Sequence, residues 1–201
     1  MKKTTLSLVA SCLLATQILA NDELSSIYVT SATKSKQSIQ DVTSNVTVIT
    51  KEELEEKHIS TLQGALNLIS GINYTANGGI GGKSTLLLRG TSNNRVLVLI
   101  DGIRYKDHSN TSGSNISHIM INDVERIEVV KGAQSGIWGA DAAAGVINII
   151  TKEAKRGLSG AGEVSFGSHN TKQYGLNVSN KSDKYDIKLS ANKLTTDSFS
   201  S

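Results

Sequence analysis

The spacing of apolar residues changes twice along the chain, and each change predicts a different kind of structure. Residues 21–41 are polar and show no helical period; they hold one compact β-favouring run, Ser26-Ile27-Tyr28-Val29-Thr30, and the pattern predicts a flexible extended arm. From residue 42 to about residue 155 apolar residues come in blocks. Val46-Thr47-Val48-Ile49 predicts a strand, and Thr50-Lys51-Glu52-Glu53 a capping box that opens a helix. Leu62, Ala65, Leu66 and Ile69 share one helical face, with Gly71 as the stop. Leu86-Leu87-Leu88, Val96 to Ile100, Ile127 to Val130 and Val146 to Thr151 are short apolar runs of strand length, and Asp101-Gly102 after the second is a turn signal. The zone reads as α+β with a small mixed sheet and short helices.

From residue 156 to 201 the period is two. Val164 and Phe166 alternate with Glu163 and Ser165; Tyr174, Leu176 and Val178 with Gln173, Gly175, Asn177 and Ser179; Tyr185, Ile187, Leu189 and Ala191 with Asp186, Lys188, Ser190 and Asn192. Turn residues Gly167-Ser168-His169-Asn170 and Asn180-Lys181-Ser182-Asp183 separate the runs. This predicts antiparallel strands with one apolar and one polar face. A soluble sheet would read the same locally.

The first twenty residues change that balance. Lys2 and Lys3 precede a largely apolar, uncharged stretch from Leu6 to Leu19, and Ala20 is followed by Asn21, Asp22 and Glu23, the pattern of a secretory signal peptide. Ile18 stands where a small residue is preferred. A rival reading is lipid attachment at Cys12 in Val9-Ala10-Ser11-Cys12, with only a short apolar run before it. Cleavage after Ala20 removes the single cysteine and leaves 19 basic against 18 acidic residues, a net charge of +1. That balance gives no electrostatic case for nucleic acid. In an exported chain the alternating strands gain weight as outer-membrane strands, which need about 9–11 residues each. Three strands cannot close a barrel, since the smallest has about eight, and an open edge is not viable in lipid. The sequence is therefore expected to be a fragment or a truncated product.

Candidate chemistry is thin. Gly78-Gly79-Ile80-Gly81-Gly82-Lys83-Ser84-Thr85 suggests a phosphate-binding loop, but the first glycine of that pattern should stand at Asn77, and the segment runs into Leu86-Leu87-Leu88 rather than a helix. The better reading is a glycine-rich loop tip. His58, His108, His118 and His169 lack ligand spacing, and Gln134-Ser135-Gly136 lacks the glycine a nucleophile elbow needs two places before its serine. Neither an enzyme, nor a metal site, nor a cofactor is indicated.

The block Asp123-Val124-Glu125-Arg126-Ile127-Glu128-Val129-Val130-Lys131-Gly132, continuing through Ile137-Trp138-Gly139 to Gly145-Val146-Ile147-Asn148-Ile149-Ile150-Thr151-Lys152, resembles the end of the plug domain of TonB-dependent outer-membrane receptors. Leu88-Arg89-Gly90 and Val96 to Arg104 follow the same family in the same order. The resemblance implies a signal peptide over 1–20, an arm over 21–41, a plug over 42–155, and the opening strands of an incomplete transmembrane β-barrel over 156–201. It implies that Ser26, Ile27, Tyr28, Val29 and Thr30 form a TonB box that adds a strand to TonB, a mode needing accessible backbone more than particular side chains. It implies a plug–barrel lock at Arg89 and Lys131 facing acids on the barrel wall; lysine keeps the charge there but loses the planar fork. Plug loops facing the substrate would carry Asn77, Lys83, Ser84 and Thr85, and Tyr105, Lys106 and Asp107. These runs are most similar to cobalamin receptors, while ferric siderophore and haem receptors share the scaffold. The implied function is energised uptake across the outer membrane of a Gram-negative bacterium. A stand-alone periplasmic plug that engages TonB without transport is the alternative of another class.

Overall fold

The structure is a computed structural model that describes residues 27–77, 83–106, 113 and 115–197. The signal segment, Ser26 of the TonB-box run, the tip Gly78–Gly82, and Asp107 lie outside the described residues.

The centre is a five-stranded mixed sheet. In chain order its strands are β3 (Asn45–Thr50), β7 (Val96–Ile100), β8 (Ile103–Arg104), β9 (Val124–Lys131) and β10 (Gly145–Thr151). They lie side by side as β3-β9-β10-β7-β8. β10 runs parallel to β7 and antiparallel to β9, and these middle strands are buried on both faces. That is why their sequences are continuous apolar runs rather than alternations. The chain passes between β7 and β8 on Asp101 and Gly102, with φ of 50° and 79°. Both values are left-handed, as a two-residue primed turn requires. The Asp101 carboxylate then accepts from the Thr151 amide and hydroxyl, both at 2.8 Å, and ties the turn to the end of β10.

One face of the sheet is covered by two short helices, α1 (Lys51–Glu56) and α2 (Leu62–Leu66), and by a hairpin of β4 (Ile72–Asn77) with β5 (Lys83–Leu88), extended by β6 (Thr91–Ser92). Leu54, Leu62, Leu66, Leu86 and Leu88 pack there on Ile127, Val129, Ile147 and Ile149. The Thr50 side chain caps α1 by accepting from the Glu53 amide, as the capping box predicts. Its own backbone amide, and then the Thr50 hydroxyl, hold the Glu52 carboxyl below its ordinary value. The expected helix past residue 62 is in fact a second helix: His58, at φ 52°, turns the chain, and Thr61 caps the restart through the Gly64 amide. Leu62, Ala65, Leu66 and Ile69 are buried as the period predicts, and Gly71 is left-handed. Gly145 is required for close approach, because a Cβ there would overlap the Val130 carbonyl and the Leu88 side chain.

The other face is covered by the segment expected to be a flexible arm. β1 (Tyr28–Val29) pairs antiparallel with β2 (Gln37–Ser38), Val29 and Ala32 are buried, and Ala32 packs with Leu97, Leu99, Val130 and Val146. α3 (Ser135–Trp138) adds Trp138 to the same layer. The correction has a plain cause. Leu97, Leu99, Val130 and Val146 alternate with residues of the helical face, so a second apolar face exists and something must cover it.

Beyond Thr151 come β11 (Gly157–Gly167), β12 (Thr171–Lys181) and β13 (Asp186–Thr195), an antiparallel meander. Val164 stands opposite Tyr174, and Val178 opposite Leu189, so the apolar positions share one face. That face is turned outward: Phe166 is 75% exposed and Leu189 68%. The opposite, polar face rests on the mixed-sheet domain through Asn122 and Asp123. No helix among the described residues is long and apolar enough to cross a membrane, which leaves strands untouched as a means of crossing.

Candidate functional site

Three groups of residues picked out from sequence occupy three places on this framework. The run Ile27 to Thr30, expected from sequence to be a TonB box, begins on the arm face. Ile27 and Tyr28 are exposed at its edge, while Val29 is 1% exposed and turned inward. The Ile27 carbonyl accepts from the Ile39 amide and closes the β1–β2 pair. Directly after it, the Thr30 and Ser31 amides donate to Glu128 Oε2 at 2.9 and 3.0 Å. The Ser31 hydroxyl makes a short bond to the same oxygen, and the Trp138 indole donates to the Ser31 carbonyl at 2.7 Å. Lys34 lies over the Trp138 ring and Lys36 over the Tyr28 ring, at 4.7 and 4.8 Å from the centroids. Between the arm and the polar end of the sheet runs a cleft of about 660 Å³, with Arg126, Asn148 and Trp138 in its wall.

The residues read as substrate-facing belong to elements on the opposite face. Asn77 and Lys83 are paired across the β4–β5 hairpin, at the base of its tip. Thr85 is exposed and Ser84 is buried. The Ser84 hydroxyl lies 3.3 Å from Asn115 Oδ1, and the Tyr105 hydroxyl donates to the Asn115 carbonyl at 3.3 Å. Asn115 therefore joins the two sets, and its side chain also accepts from the Ser117 amide and hydroxyl. Lys106 is exposed. Burial pushes the Tyr74 phenol above its ordinary value, and the Ser84 hydroxyl, close but outside hydrogen-bond geometry, offsets part of that.

Arg89 and Lys131 come together at one turn. Arg89 is left-handed at φ 50°, its amide donates to the Gly71 carbonyl at 2.7 Å, and Lys131 Nζ reaches the Ser70 carbonyl at 3.4 Å. Among the described residues neither cation is paired with a carboxylate.

The residues that fasten these parts carry fainter signals in the sequence. Glu128 is 0% exposed, and its signal was an acid inside the apolar run Ile127 to Val130, which demands buried partners. Asn122 and Asp123 fasten the mixed-sheet domain to the outer sheet. Asn122 donates to Glu163 at 2.8 Å and accepts from Gln173 at 2.7 Å; Asp123 pairs with Lys188 at 2.7 Å and accepts from Ser190 at 3.0 Å. Their signal was weaker, because Asn122 and Asp123 read as ordinary turn residues and their partners as the solvated face of alternating strands.

The arrangement contains a folded core with an arm on one face, polar loops on the other, and a sheet whose apolar side faces away. Comparison with known proteins agrees with it. The TonB-dependent Receptor Plug Domain family matches residues 38–146. The chain is 35% identical over 169 residues to the vitamin B12 transporter BtuB of Vibrio vulnificus, and 38% identical over 124 residues to the vitamin B12 transporter BtuB of Vibrio cholerae. These alignments take in 84% and 62% of this chain but 27% and 20% of the relatives, so the chain spans about a quarter of their length. Among solved structures, the pyoverdine outer membrane receptor FpvA from Pseudomonas aeruginosa aligns with a TM-score of 0.67 at 22% identity, over 82% of this chain and 24% of that one. The ferric yersiniabactin uptake receptor FyuA from Yersinia pestis aligns with a TM-score of 0.60 at 23% identity, over 76% of this chain and 24% of that one. At such identities the structural likeness speaks for the fold.

Proposed function

The chain belongs to the TonB-dependent receptor plug family, and from that premise we propose that it supplies the plug and opening barrel strands of an outer-membrane receptor for energised uptake of cobalamin. It is a receptor part and no enzyme. The observation that carries the proposal is the orientation of the β11–β13 sheet. Its apolar side chains point away from the protein while its polar side chains bond to the plug, the arrangement a barrel wall adopts between lipid and a filled lumen. A periplasmic module standing alone would leave Phe166 and Leu189 in water, which argues against that alternative.

Cobalamin is preferred because the relatives matched at 35% and 38% identity are vitamin B12 transporters. A ferric siderophore is the second reading, supported by siderophore receptors of the same fold; haem stands beside it on the family resemblance alone. Ile27 to Thr30, with Ser26 before them, pair with TonB in this reading; Tyr105, Lys106 and Thr85, with Asn77, Lys83, Ser84 and Asp107, sit beneath the ligand. Arg89 and Lys131 face acids of the barrel wall. Binding measured on the full-length receptor with cobalamin and with ferric siderophores tests the substrate; saturable binding of a siderophore alone would refute cobalamin. Tyr28→Pro removes a backbone donor at an exposed position. It is expected to abolish uptake while binding persists, and undiminished uptake would remove the TonB-box assignment.

A further inference from the structure

The two oxygens of Glu128 have separate duties. Oε1 accepts from Arg126 Nε at 2.9 Å, two residues back on the same strand. Oε2 is given wholly to the arm: the Thr30 and Ser31 amides, the Ser31 hydroxyl, and the Thr30 hydroxyl at 3.4 Å all converge on it. Bonds to a carboxylate are stronger than those between neutral groups. The apolar part of the contact is small, chiefly Val29 and Ala32. Polar attachment therefore carries much of the hold on this segment, most of its bonds ending on this one oxygen, with the Trp138 indole on the Ser31 carbonyl beside them. If the arm leaves, Oε2 keeps none of these donors and only water entering the cleft can replace them. Glu128 also stands on β9, which is hydrogen-bonded to β3 on one side and β10 on the other.

We propose that Glu128 is the clasp that keeps the arm docked on the plug and sets how readily the TonB-pairing segment comes free; this rests on the reading of residues 26–30 given above. It is a positioning residue, acting through the arm and not on the ligand. A pull applied at Tyr28 to Thr30 reaches Glu128 within one residue, and so enters the plug at an interior strand of its sheet.

The test uses the full-length gene product in outer-membrane vesicles, with a nitroxide on a cysteine replacing exposed Ile27 and no TonB present. Glu128→Gln keeps the shape but must turn an amide NH₂ toward either Arg126 or the arm donors. Its mobile fraction is expected to rise on the order of tenfold, the scale of a lost charge-assisted bond. Arg126→Gln disturbs only the other oxygen and is expected to leave the label immobile. Ser31→Ala alters the arm side alone and is expected to mobilise the label with the Trp138 unfolding midpoint unchanged, so the proposal stays open to refutation if Glu128→Gln does not fold. The clasp is overturned if the label stays immobile in Glu128→Gln or, failing that variant, in Ser31→Ala. It is also overturned if Arg126→Gln frees the arm equally, since that marks a general structural role. Because no TonB is present, failure of the TonB-box reading would appear separately, as uptake that survives Tyr28→Pro.

Discussion

The five-stranded sheet of the plug and the three-stranded sheet after it draw on similar apolar residues, yet they turn them in opposite directions. In the plug, Leu97, Val130 and Val146 face the arm, and Val129, Ile147 and Ile149 face the helices, so both sides are dry. In the outer sheet, Val164, Tyr174, Leu176 and Leu189 face outward, while Gln173 is buried against the plug. A water-soluble sheet with one wet face would bury the apolar set and expose the polar one. The difference shows that a two-residue period reports two unlike faces but carries no sign. The sign comes from what lies against the polar face, and here that is Asn122, Asp123 and the Lys152 carbonyl of the plug.

The largest break in that comparison is expected from Ile147→Asp. Ile147 is fully buried, and an unpaired carboxylate there should cost more than about 4 kcal/mol. Urea unfolding followed by fluorescence of Trp138, the single tryptophan of these 201 residues, should show a collapsed midpoint or no folded baseline. Leu176→Arg probes the outer sheet at the centre of β12. Folding of the full-length receptor into lipid vesicles should lose about 2–4 kcal/mol, the cost of arginine near the bilayer midplane. Without lipid the same change should stay within about 0.5 kcal/mol, as for other surface substitutions. A Trp138 transition that moves as far for Leu176→Arg as for Ile147→Asp would mean both sheets are buried alike.

The elements of the two sheets were legible in sequence to unequal depth. Val96–Ile100, the Asp101-Gly102 turn and the strand around Ile147 were readable because burial on both faces leaves an unbroken apolar run between turn residues. The three outer strands were readable from alternation and turn chemistry. The arm was misjudged, because its attachment lies in backbone amides of Thr30 and Ser31 and in one carboxylate 97 residues away from Ser31, and backbone donors have no sequence signature. The helix break at His58 was hidden for a related reason: a left-handed residue other than glycine is held by its surroundings and not by its own preference. In the site, the convergence of Arg89 with Lys131 at Ser70–Gly71 joins residues 42 positions apart, which spacing alone does not reveal. Asn115, which joins the Ser84 and Tyr105 sets, carried no motif.

The smallest expected effect lies where the two sheets meet. Gln173 is 2% exposed, and its amide donates to Asn122 Oδ1, whose own amide donates onward to Glu163. Gln173→Leu preserves volume but leaves Asn122 Oδ1 without that donor, at a cost of about 1–2 kcal/mol. Asn122→Ala should cost a similar amount, and the double variant less than the two together, with a coupling of about 1 kcal/mol. Hydrogen exchange of β12 amides in the full-length receptor is the measurement, because loosening at this junction should speed their exchange before the Trp138 environment changes. Additive effects would mean the polar face merely rests against the plug without being fastened to it. The sign of the result matters for the comparison. If leucine at 173 were instead stabilising, the plug surface at Asn122 would accept apolar cover, and the outer sheet could present either face to the plug. A net cost means the plug selects the polar face, and the outward apolar face follows from that selection.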